Sequence, residues 1–264
     1  MADLETLRRL SAKTGLGLKY LSKDERVSIA LEQLREIFPD VVLKGGTALN
    51  RVYLAKSGTS RFSEDIDLDF LSDAGLNEKI SSIRERMPML KGFDIDGPRQ
   101  LHRTLRFDCG YVNEFGEKDR IRIEFYLTQT KFVSAEDVLV KSPFIETHPA
   151  IFRVYSLEDL VARKFAALYS RTEGKDFYDL FHALDLPMEK NHLAAALGMM
   201  LGFYRIGTKN FVEELIFKLH DAGRNAQYIG NSTNHFIPRS LRPEWRIFIE
   251  SLAAKIRRAI GDFK

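Results

Sequence analysis

The pattern of apolar and polar positions changes most sharply between residues 41 and 70. A short apolar run of strand type begins at Val41 and stops at Lys44, where two glycines follow, and a helix-like stretch continues from Thr47. After a loop, strict alternation returns in the segment DIDLDF, which ends at Phe70. This order predicts a strand, a tight glycine turn, a helix, a loop and a second strand.

The second of these strands carries an acidic side chain at every other position. Its three aspartates, Asp65, Asp67 and Asp69, share one face, and its apolar side chains share the other. The apolar face predicts packing against a core. Three like charges on one face repel, and either water or a hard divalent cation relieves that repulsion. An exposed acidic strand and a cation site are therefore both open.

The glycine turn has its own chemical meaning. Gly45 and Gly46 let a ligand approach the backbone closely, and Thr47 is placed to cap the following helix, whose free amides favour an anion. A phosphate group fits such a turn. A phosphate cradle next to an oxygen-ligand metal site indicates a pocket for a nucleoside triphosphate.

Residues 101–127 predict a β-hairpin or meander whose second arm alternates cleanly. Arg122, Glu124 and Tyr126 share the polar face of that arm. If the arm lies beside the aspartate strand, Glu124 is the candidate for a third carboxylate at the metal site. An exposed pair of Arg122 and Glu124 accounts for the same pattern equally well.

The second half of the chain changes to helical periodicity. Residues 130–155 contain two prolines and predict an irregular link, and a helix starts after Ser156 with the spacing of a capping box. Lys164 lies within the apolar stripe of that helix, so it must snorkel to solvent, pair with an acid or meet a ligand. Asp176 and Asp179 lie in the first turn of the next helix, where the helix dipole alone favours acids.

Composition limits the classes of protein that fit. A chain of 264 residues with 44% hydrophobic and 29% charged residues can bury a substantial core. Its single cysteine, Cys109, excludes an intrachain disulfide framework and a cysteine zinc cluster. No segment resembles a signal peptide or a span of about 18 apolar residues, so we expect a cytoplasmic protein with no membrane partner.

The C-terminal tail is basic while the rest of the chain is almost neutral. Residues 223–264 hold eight Lys and Arg against three acids, a charge of +5, and the remaining residues carry −2. A basic tail suits a polyanion such as RNA. A solvated helix face explains the same charge count about as often.

Three blocks of the sequence resemble the AbiEii/AbiGii toxin family of nucleotidyltransferases, which is related to DNA polymerase β and to the MenT toxins. The blocks are LKGGTALNRVYLAKSGTSRFSEDIDLDF, SLEDLVARKFAAL and EGKDFYDLFHAL. The resemblance implies an α+β fold with a nucleotidyltransferase-type mixed β-sheet flanked by helices. It also implies a division into a nucleotidyltransferase core at 1–155 and a helical domain at 156–264 that closes the active site and ends in the basic tail.

The resemblance assigns roles to individual residues of this chain. Its glycine turn falls on Gly45 and Gly46, with Thr47 after it as a further nucleotide-binding residue. Its serine falls on Ser63, and its metal-binding pair on Asp65 and Asp67. The residues that it makes essential in the helical domain are Lys164 and one of the two aspartates Asp176 and Asp179. Glu124 matches the third carboxylate by its position on a strand, and the loop at 56–62 with Arg61 has no assignment.

The activity that the resemblance implies is transfer of a nucleoside monophosphate from an NTP to an acceptor hydroxyl. Mg²⁺ or Mn²⁺ on Asp65 and Asp67 serves the triphosphate, and Glu124 or Asp176 is the candidate base. RNA, above all the 3′ end of tRNA, is the expected acceptor, and a cognate antitoxin is the expected protein partner. The alternatives are transfer to a protein or small molecule, an NTP-binding module without activity, and a metal-dependent nuclease.

Overall fold

The computed structural model describes residues 2–128, 130–261 and 263. Asp262 and Lys264, which contribute to the charge of the predicted basic tail, lie outside the described residues. By its internal contacts the chain divides into two compact units. We call Met1–Gln129 with Ala135–Tyr155 the sheet unit, and Thr130–Ser134 with Ser156–Lys264 the helical unit.

The described part of the sheet unit is built on seven strands. They are β1 (Val41–Lys44), β2 (Asp65–Phe70), β3 (Asp94–Leu101), β4 (Thr104–Val112), β5 (Lys118–Tyr126), β6 (Ala135–Val140) and β7 (Ala150–Tyr155). They form one sheet in the order β3-β4-β5-β2-β1-β7-β6. The sheet is mixed, because β2 runs parallel to β5 and β1 parallel to β7, whereas the other neighbours are antiparallel.

Helices complete the sheet unit. They are α1 (Leu4–Thr14), α2 (Leu18–Ile37), α3 (Gly45–Ala48), a π-helical segment (Leu49–Leu54), α4 (Ala55–Ser57), α5 (Leu76–Arg86) and a 3₁₀ turn (Met87–Met89). The three consecutive segments from Gly45 to Ser57 are referred to below as the glycine helix. This architecture confirms the predicted α+β class with a mixed sheet flanked by helices.

The predicted strand pair around the glycine turn lies at the centre of the sheet. Val41, Val42 and Leu43 of β1 are buried, and β1 lies between β2 and β7. Apolar residues without alternation suit a strand that is covered on both faces. In β2, Ile66 and Leu68 are fully buried, as the alternation predicts.

The irregular link predicted at 130–155 is wrong, because this stretch contains β6 and β7. The two prolines that suggested irregularity, Pro143 and Pro149, lie in the connection between the strands and leave both strands intact. In β7 the alternation is regular, with Phe152 and Val154 buried and Ile151 exposed. The strands therefore belong to the sheet and do not only lead away from it.

The described helical unit consists of helices and short turns. They are α6 (Leu157–Ser170), α7 (Gly174–Ala183), α8 (Lys190–Tyr204), α9 (Phe211–Arg224), α10 (Ala226–Thr233), 3₁₀ turns at Asn234–Phe236 and Arg239–Leu241, and α11 (Trp245–Ile260). The predicted helix start at Ser156 is confirmed, since the Asp159 amide donates to Ser156 Oγ at 3.2 Å, but the capping box is incomplete because the Ser156 amide donates to the Ser134 carbonyl and not to the Asp159 carboxylate. Among the described residues, no helix is both long and apolar enough to cross a membrane.

Helix α10 lies in the stretch GRNAQYIGNSTNHFIPRS, whose composition is that of a loop. Its Asn, Ser and Gly residues have low helix propensity, so local pattern argues against a helix. Tertiary packing outweighs that preference. Ile229 and Gly230 are buried, and a Cβ on Gly230 would lie 2.5 Å from the Trp245 ring. Glycine at this position lets α10 pack closely against α11.

Candidate active site

The aspartate strand and the strand of Glu124 are direct neighbours. β2 and β5 are parallel, with Asp65 opposite Arg122 and Asp67 opposite Glu124. Residues opposite one another on neighbouring strands project from the same face of a sheet. The interpretation of Glu124 as a third carboxylate required its strand to lie beside the aspartate strand, and it does. Asp65, Asp67 and Glu124 share one face.

The glycine turn lies directly against this acidic face. Lys44, the last residue of β1, is opposite Asp67 on β2, so the chain turns into the glycine helix beside the Asp67 carboxylate. Gly45 has φ +72°, and a Cβ there would lie 2.2 Å from Asp67 Oδ2. Both the backbone angle and the space require glycine. The turn thus places a backbone segment without a side chain close to the Asp67 carboxylate.

The three carboxylates are held by side chains of the same sheet face. Arg122 Nη1 lies 3.4 Å from Asp65 Oδ1, and Arg106 Nε lies 2.8 Å from Glu124 Oε1. The Tyr126 hydroxyl donates to Glu124 Oε2 at 3.0 Å and lies 3.5 Å from Asp67 Oδ1. Tyr126 is thereby a link between the Asp67 and Glu124 carboxylates.

Asp69, the third aspartate of the strand, has a structural role. It is buried, forms an ion pair with Lys44 Nζ and accepts a hydrogen bond of 2.6 Å from the Tyr155 hydroxyl. Lys44 Nζ also lies 3.3 Å from the centre of the Tyr126 ring, a cation–π contact. Asp69 thus ties β2 to β1 and β7, while Asp65 and Asp67 lie nearer the glycine turn.

The predicted cap by Thr47 is wrong. The helix begins at Gly45, two residues earlier than predicted, with Lys44 at the N-cap position and no side-chain cap. Thr47 is fully buried, its hydroxyl donates to the Asp65 carbonyl, and it lies 3.1 Å from Ser63 Oγ. Since it lies inside the helix, Thr47 can hold the backbone of the aspartate strand but cannot cap.

A residue that sequence reasoning missed ties the turn to its flanking loop. Asn50 Nδ2 donates to the Gly46 carbonyl at 3.0 Å, and Asn50 Oδ1 accepts from the Arg61 amide at 2.8 Å. The Ser60 hydroxyl donates to the Asn50 carbonyl at 2.7 Å. The four-residue spacing from Gly46 to Asn50 is the only sequence signal of this contact. The unassigned loop at 56–62 thus supports the turn.

A buried ion pair anchors the glycine helix to α2. Arg51 Nη2 lies 2.6 Å from Asp24 Oδ1 of α2, and both side chains are almost completely buried. Arg51 Nη1 also donates to Ser28 Oγ at 2.8 Å, and the Ser142 hydroxyl donates to the other Asp24 oxygen. Removing one partner of such a pair would leave a charge in the interior, which is strongly destabilising. The orientation of the glycine helix is therefore firmly set.

The acidic face fits a hard divalent cation that also takes ligands from a substrate. The donors are carboxylate oxygens, and the Asp65 side chain is 34% exposed. Mg²⁺ characteristically binds one or two carboxylates and completes its shell with water and phosphate oxygens. Within the described ranges, no three His, Cys, Asp or Glu side chains, those of Asp65, Asp67 and Glu124 included, converge as a group that could hold a metal ion. A Mg²⁺ site that takes only one or two carboxylates from the protein does not require such a group.

In the helical unit, Lys164 pairs with both candidate aspartates. Its Nζ lies 2.8 Å from Asp176 Oδ1 and 2.6 Å from Asp179 Oδ2. Arg171 Nε lies 2.7 Å from the other oxygen of Asp176. Of the three options that the sequence left for Lys164, pairing with acids is the one observed. Asp176 and Asp179 both belong to the cluster, so its geometry does not favour one over the other.

The two positive and two negative charges of this cluster balance, and three of its four side chains are buried, with Arg171 exposed. Burial alone would raise the pKa of the Asp176 carboxyl, but Lys164 and Arg171 together hold that pKa well below its usual range. A carboxylate with a lowered pKa is a weak base. Asp176 is therefore a poor candidate to accept a proton from an acceptor hydroxyl.

Comparison with solved structures shows relatives of the same fold. MenT4, a nucleotidyltransferase toxin from Mycobacterium tuberculosis H37Rv, matches with a TM-score of 0.64 and 18% identity, covering 99% of this chain and 92% of that chain. JHP933 from Helicobacter pylori matches with a TM-score of 0.51 and 16% identity, covering 94% of this chain and 97% of that chain. No curated protein matches the sequence.

The family comparison extends over most of the chain and both units. The model of the nucleotidyl transferase AbiEii toxin of type IV toxin–antitoxin systems matches residues 29–258. That range includes the glycine turn, the aspartate strand, Glu124 and the Lys164 cluster. The chain therefore belongs to the AbiEii nucleotidyltransferase toxin family.

Proposed function

We propose that this toxin is a Mg²⁺-dependent enzyme that transfers a nucleoside monophosphate from an NTP to RNA, with the 3′ end of tRNA as acceptor. The observation that carries the proposal is the contact between the glycine turn and the acidic face. The Asp67 carboxylate lies where a Cβ on residue 45 would be. A backbone that can approach phosphates thus lies beside oxygens that can bind a cation. The same elements are required for nucleotidyl transfer.

Asp65 and Asp67 are the proposed metal ligands, with Glu124 beside them as the third carboxylate. A bound Mg²⁺ would neutralise triphosphate oxygens and stabilise the charge that develops as pyrophosphate leaves. The residues around the carboxylates keep them oriented. Thr47 supports Asp65 through its carbonyl, and Tyr126 links Asp67 to Glu124.

The glycine turn is the proposed binding site for the outer phosphates. The backbone amides of Gly45 and Gly46 would bind the phosphate oxygens, and Ser63 would add a hydroxyl near the same helix. Thr47 supports the site by holding the aspartate strand, since its hydroxyl donates to the Asp65 carbonyl. Asn50 keeps the Gly46 peptide oriented by accepting the loop amide and donating to the Gly46 carbonyl.

Lys164 of the helical unit is proposed as an essential residue, together with its partners Asp176 and Asp179. The aspartates hold the buried ammonium in place, because each forms a charge-assisted contact with it. A fixed cation can stabilise the developing negative charge of phosphates without reorganising during the reaction.

The acceptor hydroxyl needs a proton acceptor as it attacks the α-phosphorus. Of the two predicted candidates, Glu124 suits this role better, because the pKa of Asp176 is lowered by Lys164 and Arg171. Attack forms the new phosphoester bond, the proton passes to Glu124, and the bond from the α-phosphorus to pyrophosphate breaks. Within a type IV toxin–antitoxin system, a cognate antitoxin is the proposed partner that restrains or reverses the effect.

The proposal is tested by following a label from the α-phosphate of each NTP. The protein is incubated with Mg²⁺, total RNA and cell protein, and the products are separated on denaturing gels. Label in lengthened RNA, above all in tRNA, supports the proposal. Label in protein or in small molecules contradicts the RNA acceptor, tight NTP binding without pyrophosphate release contradicts the transferase, and RNA that shortens indicates a nuclease.

A further inference from the structure

Four arginines lie beside the acidic face, on three neighbouring strands of the sheet unit. Arg122 and Arg120 lie on β5, Arg106 on β4 and Arg99 on β3, the edge strand. We call these residues the arginine row. The side chains of Arg106 and Arg122 are 33% and 37% exposed, and those of Arg99 and Arg120 are each 62% exposed. Exposure therefore increases from the acidic face outward.

Contacts place the arginine row on the same face as the carboxylates. Arg122 reaches Asp65 and Arg106 reaches Glu124, so the inner part of the row begins at the acidic face itself. Arg106 is opposite Arg99 in the pairing of β4 with β3. Arg120 precedes Arg122 by two residues on β5, a distance of about 7 Å along the same face.

The outer arginines are oriented by a shared carboxylate. Asp108 on β4 is largely buried, and it lies 3.9 Å from Arg99 Nη2 and 3.6 Å from Arg120 Nε. Arg99 Nη2 also lies 3.1 Å from Asp96 Oδ2 on its own strand. Exposed ion pairs of this kind contribute little to stability. A guanidinium group has five N–H donors in a planar fork, so Arg99 and Arg120 can keep this contact and still bind a phosphate.

The direction of the row matches what a polynucleotide acceptor requires. An RNA whose terminal hydroxyl reaches the carboxylates must lay its preceding phosphates over the adjoining surface. The row supplies cations there, and phosphate contacts position a nucleic acid without reading its sequence. The C-terminal tail, by contrast, was predicted to bind RNA from its charge count alone.

We propose that the arginine row is the binding track for the phosphodiester backbone of the acceptor RNA, with Arg99 and Arg120 contacting phosphates upstream of the terminal nucleotide. This inference rests on the proposed function, since it takes RNA as the acceptor. It assigns the track to the sheet unit, where Arg122 and Arg106 connect it to the acidic face.

The test compares full-length variants with matched changes of charge. Arg99→Gln/Arg120→Gln removes two charges from the row, Arg8→Gln/Arg9→Gln removes two from an exposed part of α1, and Arg257→Gln/Arg258→Gln removes two from α11 near the basic tail. Binding of fluorescent tRNA is measured without NTP over a range of salt concentrations. The KM values for RNA and NTP are measured in the transfer reaction. Arg99→Lys/Arg120→Lys tests whether charge alone is sufficient.

The row variant should weaken tRNA binding about tenfold and reduce the slope of log K against log salt by roughly two, because each phosphate contact contributes about one. Its KM for NTP should stay unchanged, and the Lys variant should recover the salt slope. The α1 variant should bind like the unmodified protein. An unaltered salt slope in the row variant, or a loss confined to the α11 variant, overturns the inference.

Failure of the inference and failure of the proposed function give different results. If the unmodified protein lengthens RNA and the row variant does so with the same KM for RNA, the track is wrong and the function stands. If the unmodified protein labels protein and not RNA, the proposed function fails. In that case, tRNA binding that does not depend on the row overturns the inference as well.

Discussion

The Asp67 carboxylate occupies the space where any other residue at position 45 would place its Cβ. A Cβ on residue 45 would lie only 2.2 Å from Asp67 Oδ2, and Gly45 has a positive φ of +72°. The turn and the carboxylate can therefore share this position only while residue 45 is glycine. The contact joins the two sequence features on which the proposed chemistry depends.

Substitution of Gly45 should separate strain from function. Gly45→Ala adds left-handed strain of roughly 1–2 kcal/mol and displaces the Asp67 carboxylate, so we expect transfer to be lost. Gly58→Ala is the matched control, since Gly58 has φ +69° but open space around its Cβ position. Both variants should lose stability in denaturant unfolding through left-handed strain, Gly45→Ala more because it also displaces Asp67, and only Gly45→Ala should lose activity. Equal activity in the two variants would show that the contact with Asp67 does not matter.

Tyr126 should tune the metal site without being part of it. Tyr126→Phe removes the hydroxyl that links Asp67 and Glu124, and groups that orient metal ligands typically contribute about 10–100-fold to metal affinity. We expect the Mg²⁺ concentration for half-maximal activity to rise within that range, with the KM for NTP at saturating Mg²⁺ little changed. An unchanged Mg²⁺ dependence would show that the Tyr126 hydroxyl does not orient the metal ligands.

Lys164→Ala should reduce stability as well as activity. It would leave Asp176 and Asp179 buried with Arg171 as the remaining cation at Asp176, and breaking a buried pair typically costs about 3–5 kcal/mol. Adding Asp179→Asn to the variant should recover part of the stability but none of the activity. Lys209→Ala is a suitable control, since Lys209 is an exposed lysine of the same unit. Denaturant unfolding measures the stability of each variant. The activity of each variant is then measured at a temperature where it is folded. Transfer at the original rate by folded Lys164→Ala would make Lys164 purely structural.

We expect the lowered pKa of His182 to reduce the free energy of unfolding in acid. Burial, with nearby Lys255, lowers the pKa of His182 to about 4 from an ordinary value of 6.5. Between these values the unfolded chain binds more protons than the folded protein, so stability falls as the pH falls, by up to about 1.4 kcal/mol per pH unit. Above pH 6.5 this effect is absent. His182→Gln should flatten the dependence in unfolding curves measured from about pH 7 to about pH 4, and parallel curves for both proteins would contradict the assignment.

Alternation along the sequence was enough to predict the acidic face but not the roles within it. Asp65, Asp67 and Asp69 are equivalent by period, and only packing separates them. Asp69 is buried because Tyr155, 86 residues away in sequence, donates to it from β7. No local pattern contains that information, so the structural role of Asp69 could not be predicted.

The same limit explains the helical unit and the arginine row. The apolar stripe left three options for Lys164, which were snorkelling to solvent, pairing with an acid or meeting a ligand. Its pairing with Asp176 and Asp179 depends on how α6 packs against α7. Arg99 and Arg120 are ordinary exposed residues in sequence. Their shared contact with Asp108 appears only when β3, β4 and β5 are aligned in register.

The central claim is that divalent-metal-dependent nucleotidyl transfer takes place at Asp65 and Asp67. Its most direct test is the rate of pyrophosphate release, measured with NTP, tRNA and a titration of Mg²⁺, for the unmodified protein, Asp65→Asn and the exposed control Asp73→Asn. We predict Mg²⁺-dependent release by the unmodified protein and the control, and at least a hundredfold loss, roughly 2.7 kcal/mol, in Asp65→Asn. Release by folded Asp65→Asn at the rate and Mg²⁺ dependence of the unmodified protein would contradict the account.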